Sequence, residues 1–243
     1  MCRHSTIDRW SVALLLSGAL YVLAAHADQL PDGDCERPSA ATDLRHCDLS
    51  GRRLQGIDLR GADLRGVPAS NADLSRADLR GANLRKADLR WVKLIDAKLI
   101  GADLSHADMF HVNADGANLD DAELFKANLF GALLNGVSAR NADFTAAYMK
   151  DIELEGADLS GASVRRANML RVVAMGAVFR GADLSYSRLT GAAAADADFS
   201  DARLRRTQFN GADLQGARFA GAETQGADFT NARMEPGSVV HGR

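Results

Sequence analysis

The chain has 243 residues, of which 29 are basic and 32 acidic, so its formal net charge is only −3. Such a mild charge argues against functions that need a dense charge of one sign over the whole surface. The sequence also contains no nucleophile elbow, phosphate-binding loop, HExxH motif or paired-cysteine metal spacing. A catalytic role and a bound cofactor are therefore not expected.

The N-terminal segment, residues 1–27, differs in composition from the rest of the chain. Two arginines near the N-terminus are followed by the uncharged apolar run Trp10–Ala25 and by a small-x-small pattern at residues 25–27. This order is typical of a secretory signal peptide, so cleavage is predicted before Asp28. The alternative is a retained membrane anchor, although the run is short of the roughly 20 residues that a span needs. Cleavage would remove two arginines and one aspartate and change the net charge from −3 to −4.

Residues 28–43 contain two prolines and one glycine and do not follow the pattern of the rest of the chain. They are predicted to form a leader or cap. Cys35 and Cys47 are the cysteines that remain after cleavage, and in an oxidising compartment they are predicted to form a disulfide. Two unpaired thiols are the alternative. A metal site is not expected, because only His46 lies near them in sequence and no Cys-x-x-Cys spacing occurs.

From Leu44 to Met234, a large apolar residue recurs at every fifth position, usually with Ala two places before it and Asp or Asn between them. Five residues advance about 140° around an α-helix, so these residues would not share a helical face. Ala and the large residue are two apart, as on one face of a strand, but the next inward residue comes three places later. One short side and one corner in each repeat predict a four-sided coil of about 20 residues, with Gly, Asn or Asp at the corners. Such coils would stack through backbone hydrogen bonds, and residues 20 apart would form columns.

Full copies of the Ala-Asp-Leu core occur, among other places, at residues 62–64, 72–74, 102–104 and 182–184. The pattern resembles the pentapeptide-repeat family, whose motif is A(D/N)LXX, over nearly all of the chain that follows the signal segment. The resemblance implies an all-β fold, a right-handed quadrilateral β-helix, over residues 44–234. The Asp residues recur at the outward position of the motif, so we interpret them as a solvated face and not as acid–base catalysts.

Two groups of outward residues are candidate contact surfaces. Residues 20 apart should stack, which would bring Trp91 onto His111 and Phe110 onto Phe130 on one side, and clustered outward aromatic residues often mark a partner site. The alternative is a scattering of tolerated apolar residues. A second group is basic and would share a side with Arg85 and Lys86, where it could contact an anionic membrane surface or acidic glycans, or be a solvated face. This group consists of Arg165, Arg166, Arg203, Arg205 and Arg206.

The tail, residues 235–243, shows no helical pattern, so the last coil is predicted to be poorly covered, and a homodimer through this end is one way to cover it. The best-known activity in the family is imitation of DNA, which protects a type II topoisomerase from quinolones. That role requires a densely negative rod in the cytoplasm, so neither the charge nor the predicted export signal favours it, and nucleic acid is not an expected partner. The leading hypothesis is a non-enzymatic exported scaffold or protein-interaction module in the bacterial periplasm. A binder of an anionic envelope surface is the alternative function, and the thylakoid lumen and the extracellular space are alternative locations.

Overall fold

The repeat folds into a coil whose backbone pairs with itself at a constant interval of four repeats. In the computed structural model, which describes residues 30–235, parallel bridges join the residue before each inward apolar centre to the residue 20 places later, from Asp43↔Asp63 to Asp213↔Arg233. Two hydrogen bonds flank the first of these bridges, from Leu44 N to the Asp63 oxygen (2.9 Å) and from Asp63 N to the Thr42 oxygen (2.9 Å). From Arg53 onward the bridges recur at every fifth residue, so each coil has the four predicted sides. The predicted signal peptide, residues 1–27, and all of the predicted tail except Glu235 lie outside the described residues.

The predicted all-β class needs one correction. Among residues 30–235 there is neither a helix nor a strand longer than a single bridged residue. The reason is the length of the repeat, since each side has one bridging residue before the chain turns again. The turn from Leu44 to Cys47, for example, is closed by a hydrogen bond of 2.9 Å from Cys47 N to the Leu44 oxygen. The solenoid is therefore a stack of turns joined by isolated bridges. In the same residues, no helix is long and apolar enough to cross a membrane.

The core consists of two inward residues from each side, and between Leu44 and Leu214 nearly all of them are buried. The volumes of the large residue and its small partner are related: when one is smaller than usual, the other is usually larger. Where the large residue is replaced by alanine, the position two places earlier is usually valine. This pairing occurs in four of the sides: Val67 with Ala69, Val112 with Ala114, Val137 with Ala139, and Val172 with Ala174.

The Asp or Asn between the two inward residues has a structural role that the interpretation as a solvated face missed. Its side-chain oxygen accepts the backbone N–H two residues later, as Asp48 does from Ser50 at 2.9 Å, and so helps to start the next turn. In the N-terminal coils, an arginine two places after the aspartate also donates to the carboxylate. At Asp58, these hydrogen bonds from Arg60 lower the pKa of the carboxyl group to about 2.

The corner residues have a left-handed backbone conformation throughout the repeat. At every fifth residue from Gly51 to Asn231, φ lies between 50° and 72°. Glycine occupies about half of these corners, but others hold large side chains, including Trp91 and Arg166. A non-glycine residue in this region costs about 1–2 kcal/mol. The chain therefore accepts local strain where it places a side chain on a corner.

Ala146 allows a test of this strain, because its φ is 58° and its side chain is small. We expect Ala146→Gly to raise the free energy of unfolding by up to about 1 kcal/mol, since the relief of strain exceeds the extra entropy of an unfolded glycine. The neighbouring Ala147 is an inward residue that is 1% exposed. Ala147→Gly should instead destabilise, and urea denaturation of both variants measures the difference. An equal loss of stability in the two variants would contradict the assignment of strain to the corner.

The segment before the repeat lies over the first coil. Asp32 bridges to Asp43, flanked by a hydrogen bond of 2.8 Å from Gly33 N to the Asp43 oxygen and another of 2.8 Å from Asp43 N to the Pro31 oxygen. Residues 31–33 thus pair where a preceding coil would otherwise pair. A Cβ on Gly33 would lie 2.4 Å from Leu44 Cδ2 and 2.9 Å from Thr42 Oγ1, so a larger residue here would force these side chains to shift. Arg52 also donates hydrogen bonds to the carbonyl oxygens of Cys35 and Glu36.

The last described coil is less completely buried than the others. Phe219, Phe229 and Met234 contact the core but are only partly buried. The predicted association through this end stays a prediction.

Candidate functional site

Five ring-bearing side chains from successive coils meet at one corner of the solenoid. Trp91 stacks on His111 with ring centroids 4.4 Å apart, and Phe110 stacks on Phe130 at 5.5 Å. Edge-to-face contacts join the two pairs, from Phe110 to His111 (4.3 Å) and to Trp91 (5.5 Å). Phe130 also stacks on Tyr148 at 6.0 Å. We call this set, which consists of Trp91, Phe110, His111, Phe130 and Tyr148, the aromatic corner.

The backbone of the corner explains why these rings can pack side by side. Trp91 and His111 occupy corner positions with φ of 61° and 50°, which direct their side chains outward along the same edge of the solenoid. The next corner position holds Gly131, where a Cβ would overlap the imidazole of His111. The Nδ1 atom of His111 lies 3.1 Å from the Gly131 carbonyl oxygen, which fixes the orientation of the ring. The glycine is therefore part of the construction of this surface.

The aromatic corner is both fixed and accessible. Trp91 is 52% exposed and Tyr148 is 39% exposed, whereas the rings between them are partly buried by one another. Aromatic pairs of this kind contribute about 0.5–1.5 kcal/mol beyond the area that they bury. The Nζ atom of Lys150 lies 5.7 Å from the centroid of the Phe130 ring and adds a positive charge at the edge. Such a pre-organised apolar surface is suited to binding a partner.

The structure brings together the four aromatic-corner residues predicted from sequence, namely Trp91, Phe110, His111 and Phe130. It also adds Tyr148, which the column argument missed. The column that contains Phe130 continues to Lys150, whereas Tyr148 stands at the bridging position of the same coil and pairs with Asn128. Stacking of residues 20 apart does not predict this contact. Tyr148 joins the cluster because a long side chain at a bridging position can reach the neighbouring corner.

The predicted basic residues also lie together on one side, on two coils that are separated by the coil of Ser185 and Tyr186. We call them the basic column: Arg165, Arg166, Arg203, Arg205 and Arg206. Sequence reasoning missed Tyr186, whose ring is flanked by the guanidinium carbons of Arg166 at 5.9 Å and Arg206 at 5.8 Å from its centroid. Two of the arginines contact acidic groups, Arg165 with Asp183 and Arg203 with Glu223. Arg85 and Lys86 follow the same side but lie four coils away.

A third cluster lies at the start of the repeat. The sulfur atoms of Cys35 and Cys47 are 2.07 Å apart, and a ring nitrogen of His46 lies within 4.8 Å of both. These three side chains are of the types that bind zinc. In this arrangement, however, the two sulfur atoms are bonded to each other, which leaves the histidine as the one available ligand among the three.

Comparison with known proteins places this fold in a defined class, the pentapeptide-repeat solenoids. The family model for pentapeptide repeats matches eight copies, over residues 42–81, 57–94, 87–124, 122–161, 157–193 and 197–235. Because these matches cover more than half of the chain, it belongs to the pentapeptide-repeat family. A search of curated proteins found no match.

Among solved structures, the chain is similar to QnrB1, described as a plasmid-mediated fluoroquinolone resistance protein. For a trypsin-treated variant of QnrB1, the identity is 16%, the TM-score 0.60, and the coverage 82% of this chain and 91% of that chain. This likeness shows the shared fold, a right-handed β-helix. The chain is also similar to HetL from Nostoc sp. strain PCC 7120, a pentapeptide-repeat protein involved in regulation of heterocyst differentiation. There the identity is 27% and the coverage 91% of this chain and 98% of HetL, but the TM-score is only 0.40.

Proposed function

We propose that the protein is a non-enzymatic scaffold that binds a protein partner through the aromatic corner. The observation that carries this proposal is the contact network of Trp91, Phe110, His111, Phe130 and Tyr148, in which the outer two rings are exposed. Tryptophan and tyrosine are enriched at the energetic centres of protein interfaces. The rings are already held in place by the backbone and by each other, so little conformational entropy is lost when a partner binds.

The proposal extends to location, because two features support export. Residues 1–27 have the composition of a signal peptide. The bonded sulfur atoms of Cys35 and Cys47 fit an oxidising compartment such as the periplasm. A disulfide there would tie the segment over the first coil to the repeat itself, in addition to the backbone hydrogen bonds of residues 31–33.

The test is recovery of partners from an envelope extract by the purified protein. We expect Phe110→Ser combined with Phe130→Ser to reduce recovery of a specific partner by at least tenfold, because loss of a central aromatic anchor typically costs about 2 kcal/mol or more. Phe125→Ser is the matched control, since Phe125 is a partly buried aromatic residue on a neighbouring side, where it contacts His106. Circular dichroism verifies that each variant is folded. Equal recovery by the double variant and the wild type would refute the role of the aromatic corner.

A second candidate function is binding of an anionic envelope surface through the basic column, in which five arginines lie on one side, on two coils separated by one further coil. Vesicles that contain phosphatidylglycerol, tested at low salt, measure this directly. Imitation of DNA is not proposed. QnrB1 supports the fold alone, and the net charge of −3 together with the basic column does not resemble the dense negative charge of a nucleic acid.

A further inference from the structure

A notch with a volume of about 240 Å³ opens in the middle of the basic column. This volume is far above the roughly 10–15 Å³ that a single water molecule requires. Its origin is visible in the column of residues 20 apart, where Ser185 stands between Arg165 and Arg205. The short side chain leaves a gap between two long ones that, at about 4.8 Å per coil, start about 10 Å apart. Tyr186 forms one wall, and Arg203 lines the notch on the other side of Ser185.

The floor of the notch carries a hydroxyl group with no protein partner. Ser185 is only 4% exposed, yet its Oγ makes no hydrogen bond to any residue between 30 and 235, although its backbone N–H donates to Asp183 at 3.0 Å. Ser187, two residues later, is an inward residue of the core, where its Oγ donates to the Leu184 carbonyl oxygen at 2.5 Å. Among the described residues, Ser105 stands in the same column, is 2% exposed and likewise donates to an aspartate only through its backbone N–H, so what distinguishes Ser185 is its place between Arg165 and Arg205. The Ser185 hydroxyl is therefore available to a ligand that enters the notch.

The charge around the notch favours an anion. Asp183 and Glu223 line it, but each lies close to an arginine, with Arg165 at 3.4 Å and Arg203 at 3.9 Å. In the part of the chain that the structure describes, Arg205 has no acidic group within 4.0 Å. The Tyr186 wall also has two further arginines beside it, with the guanidinium carbons of Arg166 and Arg206 at 5.9 and 5.8 Å from the ring centroid. The lining thus combines an uncompensated guanidinium, a free hydroxyl donor and a shape that is already formed.

We propose that this notch binds a phosphate or sulfate group, with the Ser185 hydroxyl and the Arg205 guanidinium as hydrogen-bond donors and Arg165 as the second flanking charge. Arginine suits this role because its planar group donates two parallel hydrogen bonds to such oxyanions. This inference makes the second candidate function, binding of an anionic surface, more specific. It rests on that function only because both use the basic column. It differs in predicting a discrete site for one anionic group, which could belong to a soluble monoester or to a lipid headgroup.

The experiment is isothermal titration of the purified chain with inorganic phosphate and with glycerol 3-phosphate at low ionic strength. We expect saturable binding at one site per chain, weakened at least tenfold by Ser185→Ala and by Arg205→Gln. The matched control is Arg188→Gln, which removes the same charge. Arg188 is an exposed arginine on the coil of Ser185, but it lies on a different side of the solenoid. It should retain the wild-type affinity. Circular dichroism verifies the fold of each variant.

Three outcomes would overturn the proposal: absence of saturable binding to either probe by the folded wild type, an equal loss in Arg188→Gln and Arg205→Gln, or an unchanged affinity in Ser185→Ala. Vesicles that contain phosphatidylglycerol form a second arm. Vesicle binding that Ser185→Ala leaves unchanged, together with no binding of the soluble probes, would support the surface-binding candidate and refute the discrete site. Binding of the soluble probes without vesicle binding would support the notch and remove the surface role. Recovery of a protein partner through the aromatic corner is measured separately from both.

Discussion

Replacing Phe199 by alanine is expected to lower the free energy of unfolding by about 3–5 kcal/mol, the usual range for a buried phenylalanine. Phe199 is fully buried, and its ring stacks on Phe179 at 5.0 Å and on Phe219 at 5.2 Å, with Phe209 edge-on at 5.5 Å. The coil cannot collapse around the cavity, because its circumference is set by the bridges to the coils on either side. Urea denaturation followed by circular dichroism measures the loss.

The same column contains its own control. Phe219 is the next residue of the ladder, but it is only partly buried. We expect Phe219→Ala to cost clearly less than Phe199→Ala, since it loses contacts mainly on one face. Because each coil of a solenoid contacts only its neighbours, Phe199→Ala should also make the coils that follow it open before the rest. Similar losses in the two variants would show that stability does not depend on the continuity of the phenylalanine ladder.

The second large effect is expected at Val112 and Ala114. Here valine occupies the inward position that is usually alanine, and alanine occupies the inward position that is usually a large apolar residue. Ala114→Leu should destabilise the protein by about 1–3 kcal/mol through overpacking. Val112→Ala should also destabilise, because it leaves a cavity in the same side. The double variant restores the usual Ala and Leu pair, and we expect it to be more stable than either single variant. A double-mutant cycle in urea denaturation gives the coupling energy directly.

The cycle is informative because the chain also offers counter-examples. Val92 stands beside Leu94 and Ile152 beside Leu154, and all four are buried. Some sides therefore hold two bulky residues, which means that the local space must differ between coils. Additive effects of the two substitutions at residues 112 and 114 would show that the valine–alanine pairing has no role in filling the core.

The columns were predictable because a coil of constant length converts distance along the sequence into position in space. This is why the stacking of Trp91 on His111, and the grouping of Arg165 with Arg205, could be predicted from the interval of 20 alone. Tyr186 follows from the same rule, since it lies between Arg166 and Arg206, but an aromatic residue in a basic column was not sought. The free hydroxyl of Ser185 could not be predicted, because it depends on which hydrogen bonds its neighbours form.

The remaining differences arise where the periodic argument has no information. The pairing of Asp32 with Asp43 does not follow the interval of the repeat, so no column places it. The all-β class was taken from the family resemblance, whereas each side is so short that it holds a single bridged residue and no extended strand. The turn-starting role of the aspartates was missed because an outward residue was assumed to contact only solvent, whereas its oxygen reaches the N–H two residues later.

The constant length of the coil also sets the angle between the aromatic corner and the basic column. One repeat rotates a side chain by a quarter of the circumference, and four repeats advance it by one pitch. The aromatic corner and the basic column lie on neighbouring edges, and the angle between them is encoded by the length of sequence that separates them. Inserting a single repeat between them would rotate one surface about the solenoid axis by a quarter turn. Inserting a complete coil would lengthen the solenoid and leave the angle between the two surfaces unchanged. The relative orientation of any two partners that bind these surfaces is therefore set by the number of residues between the surfaces, and no hinge is required.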